Sequence, residues 1–340
     1  MACKFGPLSA LLWVCFLLFS SPVAHTVMFI NPTLTSPVAN GCTTCTQASP
    51  CAMPTATLNI PGVCEVTFLA GDYSTKPQFS LTTTTGANAI LIHSSGIATG
   101  LKLSLHSYGT PGLMQIRDAQ FNDLTLVMES DGSGVIDVST VNLKYGVQHS
   151  LNFQGGFTIR GSTLTMNGPF SYATPAFALS SSSLAFQGSN IRLPVPFSFD
   201  SVPSIALSSS TLEAPSIGVA PTITISNSII IGLYLGFRDP SPGLLNLQVS
   251  ASAIDRRVNA SSPNPLIPDT ATISTIELTD ATLYSCAMSV LASQTLSLTF
   301  QGNFTDSPIS VSTGGPSLLV NLGGYFLQST PTLPSDRPLV

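Results

Sequence analysis

The chain has 340 residues and is 44% hydrophobic, ample for a buried core, yet only 8% of it is charged, against roughly a quarter in an average globular protein. Serine and threonine supply the polar surface instead, a composition of ordered, strand-rich proteins and not of disordered ones. A net charge of −5 gives no grip on a phosphate backbone, so nucleic acid is excluded as a partner.

Residues 1–24 read as a secretory signal peptide, with Lys4 as the positive region, Leu8 to Phe19 as the apolar run and small residues from Ser20 to Ala24. Pro22 spreads the cleavage point over Ser20 to Thr26. The apolar run is about a dozen residues, short of the roughly 20 that span a bilayer, and no later run reaches that length. The mature chain is therefore expected to be extracellular or at the cell surface, without a transmembrane segment.

Residues 25–65 form a cysteine-rich cap leading into the first coil. Of seven cysteines, Cys3 and Cys15 leave with the signal, and Cys42, Cys45, Cys51 and Cys64 cluster in the cap. In an oxidising compartment these four are expected to make two disulfides, with three possible connectivities. The Cys42-x-x-Cys45 spacing leaves zinc as the rival reading. Cys286 reads as a small buried hydrophobe.

From residue 66 to 327 one pattern recurs: apolar residues at positions one, three and eight, with a small residue at six. We find it as MQIRDAQF (114–121), IDVSTVNL (136–143), FTIRGSTL (157–164), FALSSSSL (177–184), IALSSSTL (205–212), ITISNSII (223–230), LQVSASAI (247–254) and IELTDATL (276–283). Start-to-start spacings of 22, 21, 20, 28, 18, 24 and 29 average near 23. Positions one and three face inward on a strand, and position two outward, as Gln115, Asp137, Thr158, Ala178, Ala206, Thr224, Gln248 or Glu277. The alternation breaks at positions four and five, which calls for a corner. Asp118, Gly161, Asn227 and Asp280 at position five tolerate a left-handed backbone there. Inside the corner, position six holds Ala119, Val141, Ser162, Ser182, Ser210, Ser228, Ser252 or Ala281.

No such motif buries its own apolar face, but copies stacked at strand spacing pair every backbone group with the coils on either side. The expected fold is all-β, a parallel β-helix (β-solenoid) of about a dozen coils, with a β-sandwich as the competing arrangement. Weaker coils are expected at 66–74, 89–96, 101–109, 295–303 and 317–324, and residues 328–340 form a C-terminal tail.

Phe300-Gln301-Gly302-Asn303 matches an F-x-x-N element, echoed by Phe153-Gln154-Gly155 and Phe186-Gln187-Gly188, and Cys45 to Cys51 precedes a strand ending in Gly71-Asp72-Tyr73. With the coil period, these features resemble the pectin-lyase-like right-handed parallel β-helix superfamily, closest to secreted adhesin-like members with polymorphic outer-membrane-protein repeats. The resemblance implies fold and secretion. The G-G-A-hydrophobic element that usually partners F-x-x-N is missing.

Enzymes on this scaffold cleave acidic polysaccharides. The hydrolases of the resembled family carry close aspartates with G-H-G and R-I-K elements, which this sequence lacks. Five acids, Asp118, Asp123, Glu129, Asp131 and Asp137, fall within 20 residues. Arg117 and Arg160 share position four two coils apart, with Asp137 on the coil between. They are the surface candidates for a lyase, the one reading that calls for a cofactor, calcium. His25, His93, His106 and His149 show no paired metal spacing and read as surface or corner residues. The loop DRRVNASSPNPLIPDT offers a binding segment, and Asn259 and Asn303 head N-x-S/T sequons. Scarce ionisable groups point to a secreted non-enzymatic protein for adhesion, structure or carbohydrate contact, its partners glycans or proteins. A polysaccharide lyase or glycoside hydrolase is the alternative.

Overall fold

The computed structural model describes residues 25–34, 45–60, 62–83, 89–108, 112–167, 177–181, 183–192, 197–199, 204–213, 217–218, 222–231, 235–236, 245–255, 273–284, 286, 288–292, 296–313, 318–327, 329 and 331–332. The signal segment, Cys42 and the loop carrying Asn259 lie outside them. Among the described residues there is no helix, and the strands stack in parallel as a β-solenoid.

The first wall is an unbroken parallel ladder. It runs from His25–Ile30 and Val63–Phe68 through Ala89–Ser94, Leu113–Arg117, Ser133–Asp137, Gly156–Arg160, Ser183–Gln187, Ser204–Ser208 and Thr222–Ser226 to Leu245–Ser250. It continues into the N-terminal halves of Ile273–Tyr284, Leu296–Thr305 and Leu318–Leu327. A second wall follows each corner, as in Thr140–Leu143, Thr163–Met166 and Asn190–Arg192, and a third carries Phe79–Thr83, Lys102–Ser107, the end of Gln120–Ser130 and His149–Phe153.

The solenoid makes about seven turns, fewer than the dozen coils expected. The repeat reports only the first corner, and towards the C-terminus the first and second walls merge into single long strands. Towards the C-terminus the third side becomes a separate sheet of Met288–Ala292, Ile309–Thr313 and Pro331–Thr332.

Two copies of the repeat sit in a different frame from the one expected. The second is GVIDVSTV (134–141): Ile136 pairs with Ile116 and Ile159, and Val138 stands at position five, 59% exposed. Gly134 takes position one because a Cβ there would run into the stacked rings of Phe153 and Phe157, whose centroids lie 5.1 Å apart. The fourth is LAFQGSNI (184–191), whereas Phe177–Ser180 belongs to the third wall, where the same alternation applies. Asp137 thus stands at position four and Val141 at position eight, and Ala178 lies in the third wall, outside the corner motif. The residues at position six are Ala119, Ser139, Ser162, Ser189, Ser210, Ser228, Ser252 and Ala281, all buried.

At position five the backbone is left-handed in all eight copies: Asp118, Val138, Gly161, Gly188, Ser209, Asn227, Ala251 and Asp280 have φ of 46° to 57°. That turn redirects the ladder. The position-five N–H bonds forward to the next coil's position-four carbonyl, as Gly161 to Gln187 at 2.8 Å, and the position-seven N–H bonds backward, as Asn190 to Ser162 at 2.9 Å. The intervening position-six N–H finds its acceptor in the next coil's serine hydroxyl. Ala119 donates to Ser139 Oγ at 3.2 Å, Ser139 to Ser162 at 3.1 Å, Ser162 to Ser189 at 3.4 Å and Ser189 to Ser210 at 3.1 Å. Ser210 continues to Ser228 at 3.1 Å and Ser228 to Ser252 at 3.0 Å. Each hydroxyl in turn donates to the carbonyl two residues before it, from Asp137 to Ser250, at 2.6 to 3.0 Å. A buried backbone donor left unpaired costs about as much as a lost hydrogen bond, so the corner selects a residue both small and hydroxylated.

A second, shorter ladder runs through Cys286, Ser307 and Ser329, where the Cys286 and Ser307 amides donate to the next hydroxyl at 3.0 and 2.8 Å. Cys286 is therefore more than filler: its thiol donates to Tyr284 O at 3.2 Å, as the serines do to their own carbonyls.

Below the first coil, Cys45 and Cys51 form a disulfide, and Cys51 exchanges backbone bonds of 2.8 Å with Phe29 and Asn31. Cys45 consequently has no thiolate for zinc, and of the three connectivities only Cys42 with Cys64 remains for a second bridge. Tyr73, in the Gly-x-Tyr turn, is buried and donates its hydroxyl to Ile30 O and Leu69 O at 2.9 and 2.8 Å. His149, expected at the surface or a corner, is fully buried. Its Nδ1 accepts the Leu126 N–H and its Nε2 donates to Lys144 O, while burial pushes the imidazole below its usual 6.5.

The hydroxyl ladder makes a direct prediction. Ser210→Ala strands the Ser189 N–H inside the corner and should cost about 1–3 kcal/mol in urea unfolding. Ser208→Ala, on the outer side of the same corner, should stay within about 0.5 kcal/mol of wild type. Equal effects would remove the ladder from the account.

Candidate functional site

The corrected frame puts Asp137 at position four, in register with Arg117 on the coil before and Arg160 on the coil after. Sequence spacing had brought these three together, and the structure makes them one stack. Arg160 grips the carboxylate with both ends of its fork, Nε to Oδ1 at 2.9 Å and Nη2 to Oδ2 at 2.8 Å. Arg117 Nε stands 3.9 Å from Oδ2 and nearer, 3.3 Å, to Asp118. Gln115 Nε2 adds a longer contact of 3.5 Å.

The Asp137 side chain is 6% exposed, whereas both arginines are about half exposed. The Arg160 hydrogen bonds, opposed by burial and helped by attraction to Arg160 and Arg117, hold the carboxyl below its ordinary 3.8. The same bonds raise Arg160. Chemically this is a cross-link between coils: the carboxylate is committed as an acceptor, not poised to give up a proton. Arg160 therefore has a structural task as the clamp on Asp137.

A second site lies where the corner changes form. Asp280 still holds the left-handed position, but pairing with the next coil shifts register between Leu278 and Ala281, and beyond it Leu296–Thr305 and Leu318–Leu327 run past the corner in unbroken register. Gly302 and Gly324 make this possible, because a Cβ on either would strike the carbonyl oxygen of Ala281 or Gly302 below it. Missing the corner residue, the surface sinks into a notch of about 490 Å³. Gly302, Gly323 and Gly324 line it together with Asp280, Gln301, Asn303, Asn321 and Tyr325. Tyr325 is 80% exposed, the most open aromatic among the described residues. The F-x-x-N element thus has a physical meaning: Phe300 and Phe304 fill the core, while Gln301 and Asn303 face the notch.

Asn303 is exposed in the lining of this notch, and Asn259 lies outside the described residues. Of the remaining histidines, His93 Nε2 is 3.8 Å from Glu65 Oε1. His106 was not singled out by spacing, yet the third wall brings it against Ser104 Oγ at 3.0 Å and Glu129 Oε2 at 3.1 Å. The signal was present in KLSLHSY, where Lys102, Ser104, His106 and Tyr108 alternate onto one face, with Glu129 one coil period later.

Compared with protein-family models, curated proteins and solved structures, the chain matches none. Among the described residues no helix is long and apolar enough to cross a membrane.

The Asp137 clamp can be read out by pH. A carboxyl held below 3.8 in the fold stabilises it above that value, and the contribution is lost as pH falls through the folded-state value. Wild type should therefore unfold at higher urea than Asp137→Asn at pH 7, with the gap narrowing as pH falls below 3.8. An unchanged gap would mean that the clamp does not act through charge.

Proposed function

We propose that this chain is an extracellular β-solenoid, of pectin-lyase-like kind, that serves as a surface or matrix scaffold and contacts neutral carbohydrate through the C-terminal notch. One observation carries the reading: Tyr325, almost fully exposed, stands beside the amides of Gln301, Asn303 and Asn321 in a concave surface. An aromatic face packs against the C–H face of a sugar ring, and planar amides both give and accept hydrogen bonds with its hydroxyls. Asp280 adds an acceptor for a hydroxyl pair.

Glycosidic hydrolysis is supported less well. It needs two carboxyls about 5 to 10 Å apart, one able to carry a proton. Asp137, the buried carboxyl, is held ionised by Arg160 instead.

A glycan attached to Asn303 would fill the notch, so sequon use and capture of an external sugar exclude one another. The test is therefore a glycan array probed with protein made in a host without N-glycosylation. Neutral glycans should bind, and Tyr325→Ala should weaken binding at least about tenfold, while Tyr145→Ala leaves it unchanged. Equal binding by Tyr325→Ala, or none by wild type, would overturn the notch as a sugar contact.

A further inference from the structure

On the third wall, a long way in sequence from the notch, three side chains form a hydrogen-bonded relay. Ser104 Oγ lies 3.0 Å from His106 Nε2, and His106 Nδ1 lies 3.1 Å from Glu129 Oε2. Alternation puts Ser104 and His106 on the same outer face of Lys102–Ser107, and coil stacking sets Glu129 directly beside His106 in register. A carboxylate on Nδ1 fixes the proton there, so Nε2 presents its lone pair to the serine hydroxyl. Tyr108 packs over the imidazole, with centroids 6.1 Å apart and planes at 22°, and its hydroxyl reaches Glu129 Oε2 at 3.3 Å. The ring is thus held from two sides. Ser104 itself is 7% exposed, lying low on the wall.

We propose that Ser104, His106 and Glu129 are a nucleophile, general base and orienting carboxylate that cleave short-chain carboxylic esters. This goes beyond the scaffold role and is independent of the notch. In the first half-reaction Ser104 Oγ bonds to the ester carbonyl carbon as its proton passes to His106 Nε2. Collapse breaks the acyl carbon–oxygen bond, and the leaving alkoxide takes that proton and departs as an alcohol. Water then attacks the acyl-serine with His106 again as base, releasing the carboxylic acid and restoring Ser104.

The surroundings set the substrate class. Val127 pairs with Ser104 across the coil boundary and gives a small apolar contact suited to a methyl group. An acetyl ester fits that description. The parallel ladder engages the backbone on both sides of Ser104, so charge developing on the carbonyl oxygen must be met by side chains. Lys102 stands two residues away on the same face, roughly 7 Å along the strand. Gln78 Nε2 lies on the coil below, 3.4 Å from Ser80 Oγ.

The test uses the full secreted chain with a fluorophosphonate probe, mapping the adduct by mass spectrometry, and with p-nitrophenyl acetate. The probe should label Ser104, and Ser104→Ala should abolish both adduct and turnover. His106→Gln and Glu129→Gln should each lower labelling and hydrolysis at least about tenfold with the circular dichroism of wild type. Ser150→Ala, on the same wall two coils along, should match wild type. Absence of an adduct on Ser104 in folded wild type, or labelling that survives His106→Gln undiminished, would reduce the relay to a structural network.

Discussion

One buried hydroxyl per coil holds the first corner of this solenoid together. A left-handed residue at position five redirects the backbone, and the amide that follows is left facing the next coil without a carbonyl to meet. From Ala119 to Ser228 that amide is met by the next coil's serine Oγ, from Ser139 to Ser252, whose own proton goes to the carbonyl two residues back. Alanine in place of a serine would leave the donor bare. Ala119 and Ala281 stand at the two ends of this series, where the corner begins and where it changes form.

Because the ladder fixes register, side chains about one coil period apart become neighbours. This is how a chain with so few charges concentrates them into Arg117–Asp137–Arg160 and places Glu129 beside His106. The notch arises from the same rule by its failure. Once glycine replaces the small corner residue at Gly302 and Gly324, the turn flattens and exposes Tyr325 and the amides around it.

Much of this was legible in the sequence. Alternation, the small residue at six and turn-forming types such as Asn227 and Asp280 at five marked the wall and its corner, and with them the stacking of Arg117, Asp137 and Arg160. Two copies were misframed for physical reasons: Gly134 carries no apolar side chain because Phe153 and Phe157 fill its place, and Val138 is a β-branched residue in a left-handed turn, which its type does not advertise. The copy at 177 failed because a third-wall strand alternates just as a first-wall strand does. Alternation already puts Ser104 and His106 on one face, but the contact of His106 with Glu129 on the next coil depends on a register that a linear pattern does not carry. Nor does spacing show that Arg160 clamps Asp137, since that follows from which way two side chains point.

The most direct measurement is amide hydrogen exchange at the corner. If the serine hydroxyls are the acceptors, the amides of Ser139, Ser162, Ser189, Ser210 and Ser228 should exchange as slowly as the ladder amides of Ile136, Ile159 and Leu207 in the adjoining wall. Exchange at those five amides as fast as in an open surface turn would contradict the hydroxyl ladder as the feature that holds the coils in register.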